Sequence, residues 1–147
     1  MSEHQPFLVV GCDGTSASDA ALRFAAAEAG LHGARLLLVT AYDRPIDPDS
    51  DDFDIPDEAL QRQARDDAST SLNRALDSRT GRLPEHQIVT VEGEPAKVLL
   101  EHGDGAIMIV IGSHDRPMLQ RLFGRATGRE LQHHTVVPLV IVPTPSG

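Results

Sequence analysis

The residues with the clearest chemical potential lie between Ile107 and Val142. An apolar run, Ile107 to Ile111, ends in Gly112 and Ser113. Arg116, Arg121, Arg125 and Arg129 follow, interleaved with Gly124, Ala126 and Thr127, and Asp115 is the one carboxylate among them. Glycine lets a backbone turn close to a ligand. Arginine offers a two-pronged donor that matches phosphate oxygens. A loop that leaves a strand and enters a helix presents its amides to an anion. Together these residue types point to phosphate recognition. Arg121, Arg125 and Arg129 recur at i, i+4 and share one stripe if the segment is helical. The plainer alternative is a solvated helix face with partners such as Glu130.

A second candidate is Asp13-Gly14-Thr15-Ser16, which breaks the apolar run Phe7 to Cys12. Asp13 can meet a ligand at the strand's end, or cap the next helix through the amides of Thr15 or Ser16. One carboxylate can do both. Cys12, the single cysteine, has no partner histidine legible in sequence and fits a small buried hydrophobe. Asp47, Asp49, Asp51 and Glu58 carry the spacing of a calcium loop. However, Asp52 stands where such a loop needs glycine, and Pro48 and Pro56 stiffen it, so a hydrated acidic loop is the better reading. His133 and His134 are adjacent, point about 100° apart on a helix and cannot chelate one metal. No metal site is expected. Nor does the chain carry a nucleophile elbow, a zinc-protease helix or a lysine-bearing phosphate loop.

Five apolar runs and four helical patterns must position these groups. Phe7 to Cys12, Ala34 to Tyr42, Gln87 to Glu92, Ile107 to Ile111 and Leu139 to Val142 are the predicted strands. The third alternates in polarity, as an edge strand does. Helices are predicted from Ser18 to Gly30, rich in alanine, with Ser16 and Asp19 at its start and Gly30 or Gly33 at its end. Others run from Ile55 to Arg79, from Pro95 to His102 with proline near the first position, and from Gly124 to His134. The second would bury Ala59, Leu60, Gln63, Ala64, Ala68, Leu72, Ala75 and Leu76. Strands alternating with helices imply a parallel, doubly wound α/β sheet of five strands with helices on both faces. Spacing alone leaves the strand order open, and that order decides where the crevice lies.

Composition narrows the function. At 147 residues the chain is expected to form a single domain, residues 1–147. A net charge of −9 argues against general nucleic-acid binding and against anionic membrane surfaces. Aromatics are only 3%, so few platforms exist for stacking bases. The segment MSEHQPF lacks the pattern of a signal peptide, no run approaches a membrane span, and one cysteine suits a reducing compartment. The expected location is cytoplasmic.

Asp13-Gly14-Thr15-Ser16, Gly93-Glu94-Pro95, Ile111-Gly112-Ser113 leading to Gly124, and the closing VPLVIVP resemble the universal stress protein family in order and spacing. The resemblance covers nearly the whole chain. It implies strand order 3-2-1-4-5, an adenine-nucleotide alpha hydrolase-like fold, a switch point between strands one and four, and homodimers paired through Leu139, Val140, Ile141 and Val142. Many members bind ATP through a loop G-x-x-G-x9-G-[ST]; others bind none. Here Gly112 and Gly124 fit, but Asp115 replaces the second glycine. One residue is missing before Gly124, and Arg125 replaces the hydroxyl, with Thr127 two residues on. A carboxylate roughly 6 Å from a phosphate costs about 3 kcal/mol per charge at an effective dielectric near 20. The four arginines oppose that cost.

The resemblance therefore implies a stress-response module that binds ATP or another adenine nucleotide, with magnesium as a companion. Asp13 and Ala41 would meet the nucleoside, Gly14 and Gly93 would be needed for close approach, and Thr15 would belong to the same nucleotide-binding set. Gly112, Ser113, Gly124, Arg125, Ala126 and Thr127 would meet the phosphates. Two alternatives stay open. One is a member that has lost the nucleotide and acts only through an unidentified protein partner. The other is a slow ATP hydrolase, for which Asp115 is the sole visible base.

Overall fold

A computed structural model of the chain describes residues 5–12, 16–42, 57–77, 84–113, 120 and 137–143. Its strands are β1 (Phe7–Gly11), β2 (Arg35–Tyr42), β3 (His86–Glu92), β4 (Ile109–Gly112) and β5 (Leu139–Val142). They form one sheet in the order β3-β2-β1-β4-β5, and every pairing is parallel. The described helices are α1 (Ser16–His32), α2 (Asp57–Asp77) and α3 (Pro95–Gly103). The predicted helix from Gly124 to His134 lies outside the described residues.

Right-handed crossovers explain the layering. β1, β2 and β3 step in one direction, so α1 and α2 share a face of the sheet. The chain then returns across the sheet to β4, which puts α3 on the other face. Strand residues alternate accordingly. Leu8, Val10, Leu36, Leu38 and Val110 pack with Ala21, Leu22, Ala25, Ala29, Ala68 and Leu72 of α1 and α2. Val9, Val39, Ile109 and Ile111 pack with Ala96, Val98 and Leu99 of α3. The central strands are apolar on both faces because both faces are covered. Alanines on the inner side of α1 let it lie close to the sheet.

Helix ends follow local chemistry. Gly33 adopts φ +61°. Ala34 N donates to Ala29 O at 2.8 Å and Gly33 N to Gly30 O at 3.4 Å, the two bonds of a Schellman closure. Of the two glycines the sequence offers as the end of this helix, Gly33 performs the task. Pro95 opens α3 at its first turn.

The apolar stripe expected on α2 holds only in part. Ala64, Ala68, Leu72 and Ala75 are buried, but Ala59 and Gln63 are exposed. A helix of 21 residues is about 31 Å long. The strands beneath it, of 8 and 7 residues, span only about 23–26 Å. The helix outruns the sheet, and its first turns have nothing apolar to cover. Gln63 Nε2 instead donates to Asp67 Oδ1 at 3.0 Å.

Candidate functional site

The order 3-2-1-4-5 puts the switch point between β1 and β4: the chain leaves β1 on one side toward β2 and returns on its other side through β4. In such sheets the crevice opens outside the carboxyl ends of these strands. Strand lengths give the crevice its shape. Gly11, the last residue of β1, pairs with Val39, and Cys12 N donates to Val39 O at 3.0 Å. β2 runs on to Tyr42, three residues or about 10 Å further. On the other flank β1 pairs Val10 with Val110, while β4 continues to Gly112. The sheet's carboxyl edge therefore carries a notch above Cys12.

Backbone direction follows from the ladder. Arg35 N bonds to Pro6 O and Val39 O accepts from Cys12 N, so odd-numbered residues of β2 turn their amides and carbonyls toward β1. Tyr42 O accepts from Gly93 N, so even-numbered ones face β3. Ala41, being odd, directs its N–H and C=O over the end of β1, into the notch. On β4 the parity is reversed. Met108 O accepts from Val9 N, whereas Ile109 N and Ser113 N bond to Pro138 O and Val142 O on the β5 side. Gly112 thus directs its backbone groups into the same notch from the opposite flank. A ligand seated there meets main-chain donors and acceptors from both sides. At Gly112 no side chain stands in the way.

The described residues supply Ala41, Gly112 and Ser113 of the sequence-derived set, and the sheet brings the first two to face each other. Ser113 lies at the β4 exit, its amide held by Val142 O at 2.9 Å. Asp13, Gly14, Thr15, Gly124, Arg125, Ala126 and Thr127 lie outside the described residues. So do Asp115 and most of the arginine segment. Leu139 to Val142 form the outer strand beside β4.

Behind the notch, on the α1 and α2 side, is a polar cluster that sequence reasoning missed. Cys12 is 5% exposed and packs in the α1–α2 core, as expected for a buried thiol. Its Sγ lies 3.9 Å from Ser18 Oγ. One residue on, Asp19 in the first turn of α1 binds Arg74 of α2. Nε to Oδ2 is 2.9 Å and Nη2 to Oδ1 is 3.2 Å, a two-pronged pair. The same Nη2 donates to Ser71 Oγ at 3.2 Å. Asp19 and Arg74 are 55 residues apart, so no local pattern could have paired them.

The chain matches the family model for the Universal stress protein family over residues 8–143. It belongs to the universal stress protein family. A relative from Thermus aquaticus, "Universal stress protein in QAH/OAS sulfhydrylase 3'region", is 29% identical over 137 residues, which span 92% of this chain and 96% of that protein. A universal stress protein structure from Burkholderia pseudomallei is 26% identical with a TM-score of 0.63, covering 96% of this chain and 98% of that one. The universal stress protein of Archaeoglobus fulgidus, solved in complex with dAMP, has a TM-score of 0.58 at 19% identity, covering 94% of this chain and 97% of that chain. Strand order 3-2-1-4-5 and helices on both faces are thus those of this family. Among the described residues no helix is long and apolar enough to cross a membrane, and no acidic, histidine or cysteine cluster forms a metal site.

Proposed function

We propose that this universal stress protein binds an adenine nucleotide in the notch above Cys12 and works as a homodimer in the cytoplasm. The observation that carries the reading is the pair of backbones, Ala41 and Gly112, that face each other across the switch point. Main-chain groups suit a purine edge on the Ala41 flank, because an amide and a carbonyl side by side match its acceptor and donor. The Gly112 flank leads into the arginine-bearing segment, which suits phosphates. The Archaeoglobus relative's complex with dAMP supports the same ligand class. In this reading Asp13, Gly14 and Thr15 close on the nucleoside, and Gly112, Ser113, Gly124, Arg125, Ala126 and Thr127 hold the phosphates with magnesium.

Two departures from the family loop, Asp115 and Arg125, favour a second reading in which the nucleotide is lost and only protein contacts remain. Titration calorimetry with ATP and AMP separates the two. The nucleotide reading expects saturable heat at micromolar to millimolar ATP; a flat trace at millimolar ATP overturns it. If guanidinium recognition has replaced the hydroxyl, Arg125→Ala weakens ATP about 10- to 100-fold, a charge-assisted bidentate contact being worth roughly 1.5–3 kcal/mol. Its effect on AMP should be smaller, since fewer phosphate oxygens are present.

A further inference from the structure

Gly11 ends β1 at the base of the notch, and the space beside it on the α3 face is already taken. A Cβ added there would lie 3.1 Å from Leu99 Cδ1 and 3.4 Å from Ile111 Cγ2, inside the roughly 3.5–4.0 Å at which carbon atoms pack best. Leu99 and Ile111 are each 2% exposed, so neither has open space to move into. The two side chains come from opposite flanks of the notch. Ile111 immediately precedes Gly112 in β4. Leu99 belongs to α3, which opens at Pro95, two residues after Gly93, whose amide holds Tyr42 O at the end of β2. Ala41, next to Tyr42, packs against the same apolar cluster as Leu99, Ala96 and Ile111. Both flanks therefore close on the one place where β1 lacks a side chain.

We propose that Gly11 is a positioning residue that sets the width of the nucleotide notch. With no side chain there, Leu99 seats α3 against β1, and the Ala41 backbone keeps its distance from Gly112. A side chain at position 11 would press Leu99 outward, and with it α3, the Gly93–Tyr42 hydrogen bond and the Ala41 flank. It would also press on Ile111 beside Gly112. Close-packed interiors transmit such strain. The inference rests on the nucleotide reading above and deepens it, assigning the fit of the base to a residue that acts through Leu99 and Ile111.

The test is calorimetric titration of Gly11→Ala, Gly11→Val and the double variant Gly11→Val/Leu99→Ala with ATP, AMP and adenosine, each protein with its thermal midpoint. Gly11→Ala is expected to weaken binding about threefold and Gly11→Val about tenfold or more, in step with the volume inserted. The loss should be the same factor for all three ligands, because they share the base and differ only in phosphates. Leu99→Ala removes about the volume that valine adds, so the double variant should return to within about threefold of wild type, the sign of direct coupling. Leu72→Ala, on the other face of the sheet, is the stability control: it should lower the midpoint and leave affinity unchanged. Wild-type affinity in Gly11→Val, or an equal loss in Leu72→Ala, overturns the proposal. So does a double variant that regains its midpoint but not its affinity. If Gly11→Val does not fold, Gly11→Ala decides, with unchanged affinity as the refuting result. A wild-type protein that binds none of the three ligands refutes the nucleotide reading itself, which distinguishes that failure from this one.

Discussion

Gly93 holds φ at +147° where β3 hands over to α3, and its amide donates to Tyr42 O at 2.9 Å. An added Cβ would sit 3.2 Å from Val98 Cγ2. Backbone preference and packing both demand glycine here, with no ligand invoked. Gly93→Ala is therefore expected to cost about 1–3 kcal/mol of stability, read as a lowered urea midpoint with an unchanged slope. A loss under about 0.5 kcal/mol, the scatter of surface substitutions, would show that the turn relaxes freely. The family resemblance implies that Gly93 serves close approach to a nucleotide, and the structure gives it a reason internal to the chain. Ala41 is the opposite case. Its side chain carries no signal, and its place at the notch comes from β2 outlasting β1 and from strand parity. Neither is visible until the pairing register is known.

At the scale of elements, strands were legible because four are short apolar runs bounded by glycine, proline or charge and the third, HQIVTVE, alternates in polarity. The ends of α1 and α3 were legible through Gly33 and Pro95. The buried phase of α2 was not, because periodicity marks a face of a helix but not how far the sheet extends beneath it. Ser71, fully buried, interrupts the apolar stripe, and its partner Arg74 lies on what looks like a solvated face. Two substitutions test this division of α2. Leu72, 7% exposed among alanines of α1 and the sheet, should lose about 2–5 kcal/mol on change to alanine. Gln63→Ala, on the overhanging turns, should stay within about 0.5 kcal/mol. Guanidinium denaturation of both variants reads the difference. Equal losses would mean that the upper turns of α2 are as well packed as the lower ones.

For the whole molecule, the decisive asymmetry is between the two outer flanks of β4. All four residues of β4 are buried, whereas none of β5 is, and Ile141 is 39% exposed. Among the described residues β5 pairs with β4 alone, and an apolar edge strand invites a second chain. A two-fold axis beside it would pair two copies of Leu139 to Val142 antiparallel, the self-complementary arrangement that most homodimers use. Light scattering at micromolar protein is expected to give twice the chain mass. Ile141→Lys should give a monomer, since charge on an edge strand blocks pairing. The same variant also reports on the crevice. Val142 is level with Gly112 and accepts the amide hydrogen of Ser113, so β5 braces the β4 flank of the notch. If assembly and ligand site are coupled through that bond, the monomeric variant binds ATP more weakly, by the roughly 5- to 150-fold typical of linked sites. ATP must then strengthen the wild-type dimer by the same factor, because the linkage is reciprocal. A monomeric wild type would remove the dimer. A monomeric variant with undiminished ATP affinity would leave the dimer standing and uncouple it from the nucleotide.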